Sequence, residues 1–73
     1  METENLVRMA NNIAAFFNAD PDREAAVAGV ADHIQKFWEP RMKTAILAHD
    51  AKGGEDLHEL VRKALAKLSR EAK

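Results

Sequence analysis

Four stretches of the chain repeat their apolar residues at intervals of three and four, the period of a helix with one buried face. In the first, Leu6, Met9, Ala10, Ile13 and Phe17 share one side of a helix from about Glu4 to Phe17, with Thr3 placed to cap it. Phe16 lies about 80° from the axis of that stripe and belongs at the edge of the core. Asn18-Ala19-Asp20-Pro21 ends this helix and opens the next, Asp20 as cap and Pro21 as first helical residue, with Asp22 and Glu24 favouring the helix dipole. From Pro21 to about Trp38, Val27, Val30, Ala31, Ile34 and Trp38 form a second stripe, with Phe37 on its flank.

Pro40 stops the second helix, since its ring collides with the carbonyl four residues back and it has no N–H to donate. A shorter third helix runs from Pro40 to about Asp50, with Met42, Ala45 and Ile46 on one side and Leu47 on another. Such a helix needs neighbours on both sides. Gly53 and Gly54 supply the left-handed positions that end it. The fourth helix, about Glu55 to Arg70, carries Leu57, Leu60, Val61, Ala64, Leu65 and Leu68, with its acidic residues early and its basic residues late. The pattern predicts an all-α fold, a small compact bundle of about four short helices forming a single domain over residues 1–73.

Composition narrows what such a bundle does. With 47% hydrophobic and 32% charged residues the chain is that of a folded globule, while 73 residues permit one core and marginal stability. Lys+Arg 11 against Asp+Glu 12 leaves a formal charge of -1, which argues against nucleic acid as a partner. There is no cysteine, so the chain offers no disulfide, thiolate metal site or cysteine-ligated iron–sulfur cluster. No apolar run has the length of a membrane span, so the expectation is no membrane partner and a cytoplasmic location.

Candidate chemistry is sparse. His33, His49 and His58 titrate nearest neutrality, but none has a triad around it, and Ser69, the only serine, sits in the last helical turn without a nucleophile elbow. Glu55 and His58 form one Glu-x-x-His, whereas carboxylate-bridged dimetal bundles use two copies and two further glutamates. His49 reads as a hydrogen-bonded structural residue near the inner face of its helix and His33 as a surface residue. The expectation is no catalytic, cofactor-binding or metal-binding residue in this chain.

The densest feature is Lys36-Phe37-Trp38-Glu39-Pro40-Arg41-Met42, where aromatics, a rigid turn, an arginine and a methionine fall together as in an interface anchor. Trp38 lies on the stripe axis and divides between core and interface, so Phe37, Arg41 and Met42 are the stronger anchors, with Pro40 shaping the turn. Leu47 and Phe16 are peripheral. Gly29, inside the second helix on the face opposite the stripe, costs about 1 kcal/mol relative to alanine, so it is either tolerated drift or a point of close approach. The expected docking face is the second helix, the Pro40 turn and the third helix.

The same segment carries a family resemblance. Gly29 to Met42, Gly-Val-Ala-Asp-His-Ile-Gln-Lys-Phe-Trp-Glu-Pro-Arg-Met, resembles the central signature of the delta subunits of soluble NAD-dependent formate dehydrogenases. Leu6 to Phe17 resembles the family's opening helix, and Gly53-Gly54 followed by Leu57, Leu60-Val61 and Ala64-Leu65 resembles its close. The resemblance implies a non-catalytic accessory subunit that binds the large molybdenum-bearing subunit of the complex and stabilises it or assists its maturation. Molybdenum cofactor, iron–sulfur clusters, FMN and NAD would then belong to the other subunits, and self-association is an outcome open to the isolated chain. The alternative is a free-standing helical regulatory or nucleic-acid-binding protein, for which Asn18 to Asp22 superficially permits a helix-turn-helix. The charge balance counts against it.

Overall fold

Pro40, the two glycines and the Asn18–Asp22 segment interrupt the periodicity, and the chain breaks into helices there. The computed structural model describes residues 2–71, with α1 (Thr3–Phe17), α2 (Arg23–Phe37), α3 (Pro40–Ala51) and α4 (Glu59–Glu71) and no strand among the described residues. The α2–α4 interface is the largest, and α1 packs against all three other helices. One core runs through the bundle: Leu6, Val7, Ala10 and Ala14 of α1, Ala26, Val30, Ala31, Ile34 and Trp38 from α2 and its end, Ile46 of α3, Leu57, and Leu60, Val61, Ala64 and Leu65 of α4. Among the described residues no polar or charged side chain is buried.

Three boundaries differ from the sequence expectation. Thr3 is the first residue of α1 and not its cap, a position taken by Glu2 without a side-chain hydrogen bond. α2 starts at Arg23 and not at Pro21, because the Asp22 carboxylate accepts from the N–H groups of Glu24 and Ala25. Asp20 serves one step earlier, accepting from the Asp22 N–H at 2.9 Å. Arg23 then reaches back over the turn, donating to Asn18 Oδ1 and to the carbonyls of Asn18 and Asp20, which places a cation at the negative end of α1.

α4 begins four residues later than the apolar stripe suggests. The Asn11 side chain of α1 holds the preceding loop, its amide donating to the Asp56 carbonyl at 2.9 Å and its oxygen accepting from the His58 N–H at 2.8 Å. His58 is thereby fixed as the helix cap, its Nδ1 accepting from the Leu60 N–H at 3.0 Å. Gly53 and Gly54, at φ of 135° and 59°, make the turn out of α3. His49 adds a second tie, Nε2 donating to Asp56 Oδ1 at 2.7 Å, and Asp50 accepts from Arg62 Nε at 3.3 Å.

Asn11 thus joins the first helix to the last loop. Asn11→Ala removes two hydrogen bonds to backbone and is expected to destabilise the fold by about 1–2 kcal/mol, read as a lower urea midpoint. The hydrogen bond from His49 holds the Asp56 carboxyl below its usual range, outweighing the opposing effect of burial. A depressed carboxyl contributes stability that is present above its unfolded pKa, about 3.9, and is lost as pH falls through the lower folded value. Asp56→Asn should therefore flatten the urea midpoint's decline below about pH 4, and an unchanged acid limb would count against the His49–Asp56 tie.

Candidate partner-docking surface

The face of α1 turned inward is not the one its stripe suggests. Leu6 and Ala10 are buried as expected, but Val7 and Ala14 join them, which rotates the buried face by about 60°. The small Ala10 and Ala14 go to the interior because three helices crowd against that side. Met9 is pushed out to 43% exposure, and Ile13 and Phe17 are left half-buried.

A Cβ built on Gly29 of α2 would stand 2.5 Å from the Phe17 ring, so the helical glycine is what lets the ring come up against α2. Phe16 packs its ring edge-on against Phe17 at a centroid distance of 5.1 Å and is 76% exposed. Further along, Asn12, Ile13, Phe16, Phe17 and His33 line an open groove of about 370 Å³. His33 carries the Phe37 ring at 4.8 Å, and Phe37 is 71% exposed. Two phenylalanines thus stand in water at the ends of one apolar strip, which His33 and Phe17 connect.

The residues singled out in the sequence divide into three groups. Phe16 and Phe37 are brought onto the same strip. Pro40 and Leu47 lie on a second groove, between α2, α3 and α4, while Arg41 is exposed without an ion pair among the described residues and Met42 is half-buried against the core. For Trp38 and Gly29 the structure selects between the two readings open to each: Trp38 closes the core at 5% exposure, and the close approach at Gly29 is made by Phe17 of the same chain. Of the expected face of α2, turn and α3, Phe37 is thus exposed beside α1, where Met9 and Phe16 add exposed apolar surface. Met9 was legible as apolar but not as outward, since its stripe spans more of the helix than the interior covers.

The remaining candidates fall to structural contacts. His58 caps α4, His49 pairs with Asp56, and Glu55 is exposed in the turn. Among the described residues no group of three His, Cys, Asp or Glu side chains is placed to hold a metal ion. No helix among them is long and apolar enough to cross a membrane. The basic residues Arg23, Lys63, Lys67 and Arg70 share a shallow groove with Glu24, and Lys63 is paired with Glu59 at 3.3 Å.

What this defines is a small all-helical protein with an apolar interior and a partly uncovered apolar surface. Its family is specific: the chain belongs to the NADH-dependent formate dehydrogenase delta subunits, FdsD, whose family model matches residues 5–65. The match takes in α1 from Asn5 onward, α2, α3, the Asn11-held loop and the first half of α4. No curated protein and no solved structure matches the chain.

Gly29→Ala measures how tightly the strip is built. Alanine gains about 1 kcal/mol of helix propensity, but its methyl group must displace the Phe17 ring at a cost of about 1–3 kcal/mol. The expected net effect is a loss of about 1 kcal/mol in chemical denaturation. A gain in stability would mean that the ring swings aside freely.

Proposed function

We propose that this chain is a non-catalytic accessory subunit that docks through the Phe16–Phe37 strip onto the large molybdenum-bearing subunit of an NADH-dependent formate dehydrogenase, stabilising it or assisting its maturation. The observation that carries this reading is two phenylalanines, 76% and 71% exposed, in a member of a formate dehydrogenase delta-subunit family. Exposed apolar surface of this kind marks partner sites, and rigid aromatic rings lose little entropy on burial there.

The redox groups of such a complex belong in this reading to other subunits. With no cysteine this chain offers no thiolate to an iron–sulfur cluster, and the reading assigns the clusters, the molybdenum cofactor, FMN and NAD to the larger subunits. The place of action is the cytoplasm.

Phe16→Ser with Phe37→Ser tests the reading, because both side chains are exposed and their loss should change the stability of the isolated chain by less than about 0.5 kcal/mol. Co-purification with the large subunit should fall at least about tenfold, as for loss of hot-spot residues. Retention at the wild-type level, with circular dichroism unchanged, would mean that the strip is not the docking face.

A further inference from the structure

A second apolar groove lies away from the phenylalanine strip. Leu47 and Leu68, both half-buried, supply its accessible apolar walls over the buried Ile34 and Leu65, and Gln35, Pro40, Lys43 and Thr44 complete an open groove of about 320 Å³. None of these residues lines the first groove. On α2, Gln35 points roughly 160° away from His33 and Phe37, so the two surfaces use different sides of that helix.

The polar groups around this groove are unequally satisfied. The Thr44 hydroxyl donates to the Pro40 carbonyl at 3.0 Å. Lys43, half-buried, reaches only the Gln35 carbonyl, at 3.4 Å, and forms no ion pair among the described residues. Glu39, one helical turn earlier, does not pair with it. An ammonium beside apolar walls favours a carboxylate arriving with whatever covers those walls, because a neutral or basic occupant would desolvate the charge without compensation.

We propose that this groove is a second docking site, occupied in the assembled complex by an apolar side chain of another subunit whose neighbouring residue is an aspartate or glutamate that pairs with Lys43. The proposal rests on the reading of the chain as a subunit of the complex and assigns it a second face. The delta subunit then bridges two separate segments of its surroundings. A second copy of this chain is the competing occupant, and the identity of the crosslinked segment separates the two.

Site-specific photo-crosslinking in the complex, co-expressed with its larger subunits, tests this. Thr44→p-benzoylphenylalanine places the probe at the groove on an exposed residue, and Phe37→p-benzoylphenylalanine reports on the first strip. The expected result is a crosslink from position 44 to a segment of another subunit in which an apolar residue adjoins Asp or Glu. With it, Lys43→Glu should weaken retention in the complex about tenfold while Lys43→Arg preserves it. Crosslinking from position 37 but not from 44, a crosslink from 44 to another copy of this chain or to a segment lacking a carboxylate, or unchanged retention of Lys43→Glu would each overturn the second site. No crosslink from either position would overturn the docking reading as well.

Discussion

Alanine sets the dimensions of this bundle. Ala10, Ala14, Ala26, Ala31 and Ala64 stand where the helices approach one another, each at most 3% exposed. Short side chains at a crossing bring the axes close, and close axes leave little interior for anything large. Leu6, Ile34, Trp38, Ile46 and Leu65 fill most of what remains. A chain with more large apolar residues than such an interior admits must carry the surplus outside, and Met9, Phe16 and Phe37 are that surplus.

This explains why part of the architecture was legible in the sequence and part was not. α2 and α4 follow their apolar periods because each has a stripe about as wide as the face it buries, while α3, with apolar residues on two sides, fully buries only Ile46. Pro40 and the two glycines mark breaks through backbone sterics that no neighbour can override. In α1 the apolar residues cover too much of the circumference to name an inward side, and the choice falls to Val7 and Ala14 because they are narrow, a criterion that hydropathy does not contain. The start of α4 depends on an amide 47 residues away, so the pattern within residues 55–60 holds no trace of it.

The candidate surface was legible to a similar degree. Phe37 stands out from its position beside the stripe, and its ring is exposed. Trp38, one residue on, is turned about 100° further round and closes the core. Adjacent aromatics in one motif therefore serve opposite purposes, and only the helix rotation separates them. Gly29 signalled close approach, and the approaching group is Phe17 of the same chain, which makes the contact an internal one.

An interior without a single buried polar side chain among the described residues has a consequence for how the native arrangement is chosen. Hydrocarbon packs against hydrocarbon in many rotations, and only a directional bond discriminates among them. Here that discrimination sits at the periphery, in Asn11, Arg23 and Asp22, at the seams where one helix gives way to the next. The greasy centre supplies cohesion within the volume its alanines allow, while the rotation of each helix is chosen by a few amides and carboxylates around its rim.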